Sequence, residues 1–207
     1  MAQSSPIGPT SVAAQPAGVT LSCRPDRSGN KLIFPYIVAN HGTADIYVMD
    51  ATTAADPNTR KAVADRNAVV IWLGADGFAH VLKGIAPMPV NRLMLAQVVP
   101  LAAKLPPGQT FDRVLEVQLP LAETGPYHSD LPLREYQLTD IQGVMLTVEF
   151  LRSTVEGFAA EPIEYAPELF NVRGKHTVGQ TERVSCAFPS RQLQILKRPD
   201  DFRRPEQ

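Results

Sequence analysis

The chain is poor in the features from which function is usually read. It has two cysteines, Cys23 and Cys186, near opposite ends of its 207 residues. They form no C-x-x-C pair, so zinc ribbons and thioredoxin-like redox motifs are excluded. Two buried thiols are the expected reading. The rival, a bond joining the first and last parts of the fold, sits badly with a reducing compartment. No run of about 18 apolar residues occurs, so no helical membrane span is expected. The opening "MAQSSPIGPTSVAAQPAG" has neither a basic segment nor an apolar core of the kind a secretory signal needs, which points to a cytoplasmic address. Basic residues are not in excess, since the net charge is −1, and this disfavours binding to a phosphate backbone. No G-x-S-x-G elbow, Walker loop or G-x-G-x-x-G turn is present. The four histidines, His41, His80, His128 and His176, share no metal-ligand spacing.

Proline, in contrast, is plentiful. There are 19, roughly twice the usual ~5%. Proline is poor inside helices and central strands, so loops, strand edges and tails must hold it. Residues 1–17 read as a disordered tail and 198–207 as a charged one. Between them, 18–197 reads as one domain dominated by strand patterns. "GVTLSC" places Val19, Leu21 and Cys23 on one face. "KLIFPYIVAN" is long and apolar, with Pro35 suggesting an edge or a bulge. "AVVIWLG" and "GFAHVLKG" flank a Gly-Ala-Asp-Gly hairpin turn. Leu115, Val117 and Leu119 share a face, as do Val144, Leu146, Val148 and Phe150, with Thr147 and Glu149 outward. By this parity both cysteines face the core. "NRLMLAQVV" leans to strand. Helix signals are thin: Asp56 and Pro57 could open one or two turns in "DPNTRKAVADRN", and "APELF" at 166–170 suggests one more. Nine or ten short strands with almost no helix argue an all-β antiparallel sandwich, with a β-barrel as the alternative.

Charge is unevenly spread. Residues 129–168 carry two basic and eight acidic side chains, whereas residues 169–207 carry eight basic and four acidic. Neighbouring blocks of opposite sign either complement each other within one fold or offer an acidic face to a partner. The acidic run Glu156, Glu161, Glu164 and Glu168 is broken by Pro162 and Pro167, so it shares no helix face. Two long stretches, 120–142 and 152–180, show little regular pattern, and such connections are often functional. Aromatics within them either pack back or are displayed for binding. The candidate binding residues are therefore Tyr127, His128, Asp130, Arg134, Tyr136, Tyr165 and Phe170. His128 and Asp130 in "PYHSDLP" are the nearest thing to a local ligand pair. No catalytic residue, metal or cofactor is assigned. Trp72 reads as core, His80 as a sheet-surface residue and His41 as a corner residue facing solvent.

Two segments, "YIVANHGTADIYVMD" and "LPPGQTFDRVLEVQLPL", resemble the N-x-G corner and a late Pro-Gly turn of bacterial immunoglobulin-like domains. The resemblance implies an immunoglobulin-like sandwich of the accessory or binding type and carries over no catalytic residue. The expected function is a non-catalytic interaction or assembly module, bound to a protein partner or to its own copy. The alternative is a small-ligand or metal-dependent enzyme with its site in 120–142.

Overall fold

Nearly every segment that alternates apolar and polar side chains forms a strand. The computed structural model describes residues 11–12, 16–88, 97–127, 131–175, 177–190 and 192–199. The first strands are β1 (Ser11–Val12), β2 (Val19–Cys23), β3 (Asp26–Ser28), β4 (Lys31–Asn40), β5 (Ile46–Ala55) and β6 (Ala62–Asp65). Next come β7 (Val70–Leu73), β8 (Phe78–Lys83), β9 (Leu101–Leu105), β10 (Thr110–Gln118), β11 (Leu121–Ala122) and β12 (Gln137–Asp140). The last are β13 (Gly143–Arg152), β14 (Ala159–Ile163), β15 (Ala166–Arg173), β16 (Glu182–Pro189) and β17 (Gln194–Lys197). Helix is limited to one short turn at Thr177–Gln180 and a 3-10 turn at Leu133–Glu135 among the described residues.

The strands build an all-β sandwich with no closed barrel. A ten-stranded sheet carries the order β1-β16-β13-β5-β9-β15-β14, with β6 on β5, β8 on β13 and β7 on β8. A four-stranded sheet, β10-β4-β2 with β3 on β4, faces it, and β11-β17-β12 forms a third. Pairing is antiparallel except for β8 with β13 and β11 with β17. One core fills the space between the sheets. Phe34, Val38 and Leu115 of the four-stranded sheet share it with Val144 and Leu146 of β13 and Phe188 of β16, and all of these are buried. Phe34 and Phe188 pack ring to ring at 5.1 Å.

Cys23 on β2 and Cys186 on β16 are bonded, with Cα atoms 6.6 Å apart, and pin one sheet to the other. This corrects the expectation of two free buried thiols. The parity that turned both inward is also what brought them together.

Pro35 lies in a central strand rather than at an edge. Odd residues of β4 hydrogen-bond toward β2, and the Arg24 N–H donates to the Pro35 carbonyl at 3.0 Å. The donor that Pro35 lacks would face the Arg24 carbonyl, so the missing bond falls at the break between β2 and β3, where the ladder is interrupted.

The knot "NHGTAD" carries the chain from the four-stranded sheet to the ten-stranded one, and the turn at 106–109 carries it back. Asn40 ties the two crossings together. Its Nδ2 donates to the Ala44 and Leu105 carbonyls at 2.9 and 3.0 Å, and its Oδ1 accepts from the Gly42 N–H at 3.0 Å. Asn40 is fully buried while His41 is exposed. Asp45 pairs with Lys104. Replacing Asn40 by alanine strands three backbone groups. It should cost about 2–3 kcal/mol, read as a lower urea midpoint at unchanged slope.

Several expectations are corrected by pairing between distant segments. Asp56 caps a turn, not a helix: its Oδ1 accepts from the N–H of Asn58 and Thr59, Arg60 takes a φ of 58°, and β5 and β6 close a hairpin. "APELF" lies in β15, held between β9 and β14. The stretches 120–142 and 152–180 are not irregular, because the first supplies β11 and β12 and the second the β14–β15 hairpin. The tails are shorter than expected, since Ser11–Val12 pairs with β16 and Arg198 is buried, its N–H bound to Glu123. Thr147 and Glu149 point away from the main core yet are buried, because Ile85, Tyr47 and Val172 cover that face. Most of "NRLMLAQVV" lies outside the described residues.

The two charge blocks complement each other. Glu161 pairs with Arg173, Glu156 with Lys175 and Glu149 with Arg183.

Candidate functional site

β13 offers one edge to two strands. β8 pairs with residues 143–148 and β5 with residues 150–152. β5, paired along its other edge with β9, bulges between Met49 and Ala51 and goes on to pair with β6 from Thr52, and the sheet forks. Asp50 is the extra residue of that bulge. Lys83, the last residue of β8, spans the fork: its ammonium donates to the Asp50 carbonyl and, at 2.6 Å, to the Arg66 carbonyl. Asp50 has no partner residue in either ladder and Arg66 lies just past the end of β6, so Lys83 bridges two segments that strand pairing leaves unjoined.

The Asp50 side chain, 1% exposed, turns toward the four-stranded sheet. Arg113 on β10 donates to both of its oxygens at 3.2 Å, and Arg66 approaches at 3.5 Å while also pairing with Glu168. Arg113 in turn lies over the Phe111 ring at 4.0 Å. Two guanidinium groups thus converge on one buried carboxylate, with the Lys83 ammonium on the backbone carbonyl of the same residue. Burial pushes the Lys83 ammonium down to about 8, against the pull of Asp50 and Asp65. Burial, then the Asp50 charge, raises the Tyr36 hydroxyl well above its ordinary value. A cavity of about 340 Å³ sits in the fork, bordered by Asp50, Thr53, Val70, Lys83, Val98 and Thr124.

The sign of the Lys83 effect is set by its depressed value. Between about pH 8 and the unfolded value of 10.5, the unfolded chain holds a proton that the folded chain has released. Stability contributed by this group therefore rises with pH across that window. Tyr36 acts oppositely, but only above its unfolded value of 10. Wild type should gain about 2 kcal/mol over Lys83→Met between pH 8 and 10, read by urea denaturation at each pH.

The residues singled out from sequence do not form one site. Tyr127 is buried beside Val70 and Leu82, and its hydroxyl accepts from the Val98 N–H at 2.8 Å. Tyr136 receives the Arg198 guanidinium at 3.2 Å. Arg134 is exposed in the 3-10 turn. Tyr165, 41% exposed, shares a 2.7 Å hydrogen bond with Thr53. Phe170 packs edge-on against Tyr47 at 5.5 Å, on the far side of the ten-stranded sheet. His128 and Asp130 lie outside the described residues. Trp72 is half-buried and stacks on His80 at 5.0 Å, while the His80 ring pairs with Asp76. Among the described residues, no three His, Cys, Asp or Glu side chains converge as metal ligands. No helix among them is long and apolar enough to cross a membrane.

Two features escaped the sequence reading. The first is the fork cluster. Its signal was a lysine at a core-facing position, since Lys83 has the parity of Ala79 and Val81. The second is the outer face of the four-stranded sheet. Pro35, Ile37 and Val114 stand exposed there, with Ile37 at 42% and Val114 at 56%. Arg24, Ser22 and Asp112 flank them around an open hollow of about 870 Å³.

Comparison with known proteins adds no relative: no family model, no curated protein and no solved structure matches the chain.

Proposed function

We propose that the chain is a non-catalytic protein-interaction module that docks its partner on the outer face of the four-stranded sheet. The observation that carries this reading is the exposed apolar stripe of Pro35, Ile37 and Val114 over the hollow of β2, β4 and β10. An apolar centre with a polar rim is the composition of a docking patch. The fork cluster supports the same reading, because the Asp50 oxygens are taken up by guanidinium groups and the Lys83 donors by backbone carbonyls. That is the behaviour of a structural cluster rather than of a base or a nucleophile. The inter-sheet disulfide and the two-layer architecture are in keeping with an immunoglobulin-like module of an oxidising compartment, in place of the cytoplasmic address first expected. The fork cavity, bordered by Thr124 of the 120–142 segment, favours small-ligand binding as the second reading.

The test compares wild type with Ile37→Lys/Val114→Lys. Both positions are exposed, so stability should change by no more than about 0.5 kcal/mol per site. Light scattering and affinity capture from the source cells should show an association that wild type makes and the variant loses. Identical behaviour of the two proteins would sink the reading.

A further inference from the structure

The nine residues of β10 pair with β4 in unbroken register, and no other described strand pairs with β10. Bonds at the two ends fix the phase. The Asn40 N–H donates to the Gln109 carbonyl and the Leu119 N–H to the Asn30 carbonyl, so odd residues bond to β4. Even residues turn their N–H and C=O groups to the open edge. The Asp112 carbonyl accepts from the Arg113 guanidinium at 2.8 Å, and the edge groups of Val114 and Glu116 face outward. Long unpaired edges invite strand addition unless they are blunted. Three other edges are treated differently. β14 carries Pro162 and a register shift, β1 covers part of β16, and the disulfide draws β2 against β16.

The side chains at the same edge positions read acidic, apolar, acidic: Asp112, Val114, Glu116, all exposed. Directly opposite neighbours on a paired strand share a face, so a partner strand matching them reads basic, apolar, basic at alternate positions. Glu116 already holds Lys31 at 2.7 Å, which shows that a cation is accommodated beside this edge. A second copy does not fit in the register that matches Val114 with itself, because Asp112 would then oppose Glu116 twice. Resting on the docking reading above, we propose that the free edge of β10 accepts an extended segment of another protein, with the pattern basic-x-apolar-x-basic, as a fifth strand of the sheet.

The test is a titration to millimolar peptide, followed by NMR of the isotope-labelled full chain. The probes are acetyl-TKTVTKT-amide, its glutamate counterpart acetyl-TETVTET-amide, and the lysine peptide N-methylated at alternate residues. The lysine peptide should shift the amides of Asp112, Val114 and Glu116 and slow their hydrogen exchange. It should bind at least tenfold more tightly than either control and lose about tenfold to Asp112→Lys/Glu116→Lys. Val114→Pro deletes an edge donor without removing a bond to β4, so it too should abolish binding while the chain still unfolds cooperatively. Equal binding of the lysine and glutamate peptides, shifts away from β10, or concentration-dependent shifts at β10 without peptide would each overturn the inference. So would the absence of binding. If Ile37→Lys/Val114→Lys still lost its partner in that case, the docking reading would stand and only the strand addition would fall.

Discussion

Replacing Cys23 and Cys186 together by serine should lower the melting temperature by about 10–20 °C. The bond closes a loop of sequence separation 163. Chain-entropy arguments put such a closure at about 5 kcal/mol, and for a chain of this size each kcal/mol moves the midpoint by roughly 2–4 °C. Both sulfurs lie in the core, so serine adds the cost of two buried hydroxyls. Thermal unfolding of wild type with and without reductant checks the size of the effect, and the double serine variant should be insensitive to reductant. If reductant left the wild-type midpoint unchanged, the two sheets would not depend on this bond.

Asp50→Ala should be comparably damaging, at about 3–5 kcal/mol, because the change leaves Arg113 and Arg66 facing a hole where their carboxylate was. Most of that loss is the penalty of cations left behind rather than the worth of the ion pairs. Arg113→Met placed in the Asp50→Ala background should therefore recover part of it. A double-mutant cycle in urea reads the coupling, expected at about 1 kcal/mol or more. Strict additivity would show that Arg113 and Asp50 act independently. The same variants bear on the proposed function, since Arg113 sits on β10 and Asp50 anchors it beneath the face proposed for docking. Asp50→Ala should thus weaken partner binding only through disorder at β10, whereas Ile37→Lys removes contact and spares stability.

The all-β fold was legible because alternation records burial directly. Val144, Leu146, Val148 and Phe150 had to share a face, and Cys23 and Cys186 each had to face the core. "NHGTAD" was legible as a corner, because Asn and Gly there serve local backbone needs. Segments whose structure depends on a distant partner were not legible. "APELF" has a one-turn helix signal, but β9 and β14 supply a ladder for it. Glu149 alternates as a surface residue, yet it is buried because Ile85 and Arg183 bring it donors. The site followed the same division. Aromatics in the long segments carried a composition signal, but most of them pack within the fold.

The sequence by itself determined the strand class, the inward faces and the corner residues, because side-chain alternation and turn chemistry act over a few residues. The tertiary structure alone decided which strands pair, where the sheet forks around Asp50 and Lys83, and that no described strand covers the outer edge of β10 beside Ile37 and Val114. Those outcomes rest on backbone hydrogen bonds between residues far apart in the chain, and such bonds leave no periodicity in the local sequence.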